Sequence, residues 1–132
     1  LIVLDTHVLV WWVNGDARLS QAAQSAIEAE LAGSGRILLS AISAWEIAML
    51  IESGRIALAM DLDEWLNAVG SIAGVEWVPI NVQVARQSTG LPGSFHKGPA
   101  DRMIVALARE QNAALVTADE KIQQYSHVRW IW

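Results

Sequence analysis

The chain has 132 residues, 53% of them hydrophobic and 17% charged, with no cysteine and a formal net charge of −5. That length fits one domain over residues 1–132 whose core needs no disulfide or metal staple. The lack of Cys excludes disulfides, thiolate zinc sites, iron–sulfur clusters and a cysteine nucleophile. With His7, His96 and His127 as its only histidines, the chain has to hold any metal through oxygen.

Short apolar runs alternate with segments of helical period. Leu1–Leu4 reads as a buried strand and His7–Val13 as a short apolar helix. Ser20–Leu31 is an Ala-rich amphipathic helix stopped by Gly33-Ser34-Gly35. Ile37–Leu39 is a second strand, followed by a helix over Ala44–Ile51 and another over Asp61–Ser71. Val75–Ile80 is a third strand, and Pro79 marks it as an edge or a strand end. Val82–Ser88 is helical, Gly90–Pro99 is a Gly/Pro-rich loop, and Ala100–Gln111 is a long helix. Leu115–Thr117 and Val128–Ile131 close the chain as strands around a small helix near Glu120–Tyr125.

Continuously apolar strands alternating with helices predict an α/β fold, a three-layer α/β/α sandwich with a mainly parallel central sheet of about five short strands. No apolar run approaches the roughly 18 residues of a membrane span. Runs such as Val8–Val13 and Ile47–Ile51 are bounded by Asp5, Asn14, Glu46 and Glu52. No charged segment leads into a cleavable apolar stretch, so the expectation is a cytoplasmic protein. The acidic balance argues against a basic nucleic-acid groove, but not against a nuclease, because a bound cation reverses the local potential.

In a parallel sheet the carboxyl ends of the strands and the amino ends of the helices share one edge, where ligands bind. Asp5 ends the first strand, Glu46 lies early in the helix after the second, Asp101 follows Pro99, and Asp119 follows the fourth strand. All four are expected at that edge, whereas Glu28, Glu30, Glu52 and Glu110 fall late in helices. Each also has a structural reading. Asp5 can cap a helix, Ser43–Glu46 and Thr117–Glu120 match capping boxes, and Asp101 suits a helix dipole. Convergence favours chemistry: two carboxylates about 5 Å apart repel by roughly 3 kcal/mol at an effective dielectric of about 20. A hard divalent ion relieves such crowding, and Mg²⁺ or Mn²⁺ suits the ligand type.

The ordered segments LIVLDTHVLVWW, SAISAWEIAMLIESGRIAL, HKGPADRMIVALA and LVTADEKIQQY closely resemble the PIN-domain family, specifically VapC-type toxins of bacterial toxin–antitoxin systems. The resemblance runs from Leu1 to the terminal Val128–Trp132 segment. It implies an endoribonuclease dependent on Mg²⁺ or Mn²⁺, with a catalytic and metal-binding quartet of Asp5, Glu46, Asp101 and Asp119. Asp5 and Asp101 match the principal metal ligands, and Glu46 and Asp119 complete the site directly or through water. Thr6 and Thr117 match supporting hydroxyls, with capping as their alternative role. The resemblance also implies an RNA substrate, a homodimer, and a cognate antitoxin protein that covers the site. Two departures stand out: Gly98 where relatives often carry Asp, and Leu50 where many have Lys.

Arg55, Lys97 and Arg102 are the cations expected to flank the cleft and meet RNA or antitoxin, with pairing to a carboxylate as the alternative for Arg102. His96 reads as a solvated loop histidine rather than a proton carrier. The seven tryptophans sit in apolar segments and read as core or interface rather than base-stacking platforms. A mean hydropathy of +0.30 suggests apolar surface covered by a partner, with Trp11, Trp12 and Met49–Ile51 as candidates. Two other functions compete. LIVLDT resembles the start of haloacid-dehalogenase-like phosphatases, although His7 stands at their second Asp position. A non-catalytic interaction module, its acids serving as caps, is the other.

Overall fold

The computed structural model describes all 132 residues. Strands β1 (Ile2–Leu4), β2 (Ile37–Ser40), β3 (Val75–Val78), β4 (Ala114–Val116) and β5 (Trp130–Ile131) form one sheet in the order β3-β2-β1-β4-β5. Every neighbouring pair is parallel, with Ile2 beside Ile37 on one side and Ala114 on the other. The helices are α1 (Thr6–Asn14), α2 (Gln21–Ala32), α3 (Ala41–Glu52), α4 (Leu62–Gly70), α5 (Val82–Thr89), α6 (Pro99–Glu110) and α7 (Glu120–Gln123).

Side chains alternate across a strand, so a three-residue strand buried on both faces serves two cores. Ile2 and Leu4 join Ile37, Leu39 and Val116 under α1, α2 and α4, where Val8, Leu9, Ala23, Ile27, Trp65 and Val69 pack. Val3, Leu38 and Leu115 face the other way, into a second core with Val84 of α5, Ile104–Ala108 of α6 and Ile122 of α7. This is the expected three-layer sandwich, fully parallel, with β3 at one edge as Pro79 indicates.

Each expected element is present. The largest displacement is α3, which begins at Ala41 rather than Ala44 because Ser40, the last residue of β2, caps it: its Oγ accepts the Ile42 N–H at 3.2 Å. The Ser43–Glu46 capping box therefore does not form. Ser43 lies inside the helix and Glu46 in its second turn. The tryptophans also divide more unevenly than expected. Trp65 is buried and the Trp77 indole N–H donates to the Leu66 carbonyl at 3.1 Å, but Trp45 and Trp130 are exposed.

Leu39 is fully buried in β2, within the first core. Leu39→Ala is expected to lower unfolding free energy by about 2–5 kcal/mol in urea titrations. Val82→Ala, at an exposed helix start, is expected to change it by less than about 0.5 kcal/mol.

Candidate active site

The sheet order creates the site. From β1 the chain turns to β2 on one side, while β4 lies on the other, so the segments after β1 and β4 diverge. Helix α1 packs against the first core and α7 against the second, leaving a crevice at the strand carboxyl ends. Asp5 follows β1 directly, and Asp119 follows β4.

Asp5 is buried and caps α1, accepting the Thr6 N–H at 2.9 Å on Oδ1 and the Thr117 hydroxyl at 2.6 Å on Oδ2. The same Thr117 Oγ1 accepts the Asp119 N–H at 3.0 Å, so one hydroxyl ties the two acids together. Asp119 caps α7 through the Lys121 N–H at 2.8 Å. Asp101 stands in the first turn of α6, behind Pro99. Glu46 reaches in from α3, and its Oε1 accepts the Thr6 hydroxyl at 2.5 Å. A hydroxyl has one proton. With Thr6 donating to Glu46, Ser43 must donate to Thr6 across their 2.8 Å contact.

The four acids line one cleft of about 480 Å³ together with Thr6, His7, Trp11 and Ala118. Their crowding is legible in their proton affinities. Burial pushes the Asp5 carboxyl up to about 6, and the charges of Asp101 and Asp119 push the same way, against the hydrogen bonds from Thr117 and Thr6. Glu46 is raised by burial and by Asp5, while the Thr6 hydroxyl pulls it back. Asp101 is raised by burial and by Asp119 and Glu46, with His96 opposing.

No three acids or histidines stand close enough to grip one ion by themselves. The donors are nevertheless all hard oxygens, and the cleft has no lysine or arginine in its lining. That combination fits Mg²⁺, which commonly takes one or two carboxylates and keeps several waters.

The expected cations lie outside the lining of the acid cleft itself. Arg55 lines a neighbouring hollow of about 400 Å³ that shares only His7 and Trp11 with the acid cleft. Lys97 and Arg102 line another, beside Ser88 and Phe95. Arg102 pairs with no carboxylate: it donates to the carbonyls of Ser88 at 2.7 Å and of Phe95 and His96 at 3.0 Å. His96 is not a solvated loop residue, since its Nε2 lies 2.9 Å from Asp101 Oδ2 and is shielded from solvent. Sequence reasoning missed Ser43, His7 and Trp11 as parts of the site. His7 and Trp11 stand four residues apart in α1, so their shared helix face beside Asp5 was the available signal.

The PIN domain matches residues 2–128 of this chain, which therefore belongs to the PIN-domain family. Ribonuclease VapC22 of Mycobacterium tuberculosis (strain ATCC 25618 / H37Rv) is 39% identical over 128 residues, covering 97% of this chain and 94% of the relative. Among solved structures, VapBC2 from Rickettsia felis bound to a DNA fragment from their promoter contains a chain that superposes with a TM-score of 0.69 at 17% identity, covering 98% of this chain and 96% of that one. A toxin–antitoxin complex from Klebsiella pneumoniae gives 0.65 at 18% identity, covering 97% and 95%. FitAcB from Neisseria gonorrhoeae gives 0.63 at 19%, covering 98% and 96%. At these identities the structural likeness establishes a shared fold.

The raised Asp5 carboxyl has a stability consequence. The folded chain binds this proton more tightly than the unfolded chain, whose carboxyl is ordinary. The stabilisation from protonation is full below about pH 4 and is lost as pH rises to about 6. In EDTA, Asp5→Asn is expected to exceed the parent in unfolding free energy by about 2–3 kcal/mol near pH 7.5, with the gap closing near pH 4 in urea titrations.

Proposed function

We propose that the chain is a divalent-metal-dependent endoribonuclease that hydrolyses RNA phosphodiester bonds, acts as the toxin of a toxin–antitoxin pair, and is inhibited by its cognate antitoxin. The observation that carries this reading is the meeting of four carboxylates from four separate elements in one cleft without a neutralising lysine or arginine. The relative named Ribonuclease VapC22 supports RNA as substrate, and the neighbours described as toxin–antitoxin complexes support an antitoxin partner. A homodimer is part of the same proposal.

When bound, Mg²⁺ or Mn²⁺ supplies the positive charge that admits a phosphodiester into a negative cleft, and Lewis acidity towards the attacking water. The chain's own residues do the rest. Asp5 and Asp101 present the principal oxygen ligands, and Asp119 extends the set across the crevice. Thr117 fixes the Asp5 carboxylate and links it to the Asp119 backbone. Glu46, held by Thr6 and raised by burial, is suited to take a proton from a cleft water.

An aspartyl-phosphate mechanism fits less well, because His7 stands where such phosphatases carry their second Asp, and no lysine or arginine lines the cleft to hold a phosphate. A purely capping role explains Asp5 and Asp119 but not Glu46, which caps nothing and bonds the Thr6 side chain.

Purified protein is expected to cut RNA with Mg²⁺ or Mn²⁺ and to stop in EDTA. Asp5→Asn and Asp101→Asn should each lose more than the roughly 100-fold typical of outer-sphere losses in gel-resolved cleavage assays. Cleavage at the parental rate by both variants overturns the reading.

A further inference from the structure

We propose that His96 is a positioning residue of this site, holding one oxygen of Asp101 so that the other is left to the cleft. The inference rests on the cleft being an ion-bearing site, as proposed above. His96 belongs to the loop between α5 and α6, and its Nδ1 accepts the Gly98 N–H at 3.1 Å. An accepting Nδ1 carries no proton, so in the neutral ring the proton is on Nε2. That tautomer makes Nε2 a donor and not a metal ligand. Nε2 lies 2.9 Å from Asp101 Oδ2, screened from solvent, with its N–H bent off the line of a good hydrogen bond and no other partner. A screened N–H left unmade is costly, which draws the carboxylate towards it. Closing that contact makes His96 an outer partner of Asp101, and such partners set the orientation of ligating carboxylates.

The surrounding loop is built to hold this ring. Arg102, one residue past Asp101, ties the carbonyls of Ser88, Phe95 and His96 to α6. The Phe95 ring lies 4.4 Å from the His96 ring and 4.8 Å from Tyr125, whose hydroxyl donates to the Pro92 carbonyl. Gly98 completes the fit: a Cβ there would come within 2.7 Å of His96 Cε1 and 3.0 Å of Nδ1. The missing acid at position 98 is therefore coupled to the inward His96, which occupies the space that a larger residue would need.

The test is calorimetric titration of Mn²⁺ into the full chain, alongside Mn²⁺-dependent cleavage of an RNA oligonucleotide. His96→Phe keeps a ring against Phe95 but removes both nitrogens, and Gly98→Ala displaces the ring. His96→Gln restores an N–H donor of similar reach. His96→Phe and Gly98→Ala are expected to weaken Mn²⁺ binding by about 10–100-fold and lower kcat, while KM for RNA stays within about twofold and His96→Gln recovers most of the loss. Parental Mn²⁺ affinity in His96→Phe overturns the proposal, as does a raised KM for RNA with unchanged Mn²⁺ affinity. If His96→Phe fails to fold, weak binding by Gly98→Ala with recovery in His96→Gln supports the assignment, and parental binding by Gly98→Ala overturns it. Mn²⁺ binding by a parent chain that cuts no RNA removes the nuclease reading and leaves the binding titrations to judge His96.

Discussion

The structure turns on keeping a carboxylate at the mouth of its central strand. Asp5 follows three buried residues of β1, so it emerges into a place where water cannot solvate it well. Two hydrogen bonds, from the Thr6 backbone and the Thr117 hydroxyl, favour its charged form, yet burial and two neighbouring acids outweigh them. The cap of α1, the link between β1 and β4, and the negative potential of the cleft all pass through this side chain. A site that costs the fold stability in this way needs a compensating gain, and binding a cation is the direct one.

The layers and the sheet were legible because the strands are apolar without a break and the helices carry their stops in Gly and Pro. The strand ends then placed Asp5 and Asp119 at the ligand edge without further information. Glu46 was placed at that edge by its early position in the helix after β2, whereas its alternative reading as part of a capping box fails. Ser43 and Glu46 have the spacing of a capping box, but they stand there because both bond the side chain of Thr6, a residue some 40 positions earlier in the chain. Tertiary hydrogen bonding thus imitates a local motif. Arg102 and His96 were misread for a related reason: their partners are backbone carbonyls and a carboxylate whose positions depend on a loop path that composition does not encode.

Most of the arginines are committed to the scaffold. Arg18 pairs with Asp16 and lies over Trp11, Arg36 pairs with Glu76, Arg109 donates to the His127 carbonyl, and Arg129 donates to the Asn112 carbonyl. Arg102 spends its donors on the 88–96 segment. No lysine or arginine lines the cleft, so no cationic side chain of that kind offsets Asp5, Glu46, Asp101 and Asp119 where they meet. Attraction of a polyanion then depends on what enters the cleft with it, a dependence that ionic strength and free divalent concentration both control.

The tie between Thr117 and Asp5 spans 112 residues, and β1 has β2 and β4 as its two neighbours. β1 therefore gains all its partners only after a segment more than a hundred residues later has docked beside it. Until the segment carrying Thr117 and Asp119 docks, Asp5 has no hydroxyl to hold it and the crevice lacks one wall. The four-acid cleft is therefore a product of high contact order, complete only once segments more than a hundred residues apart have docked.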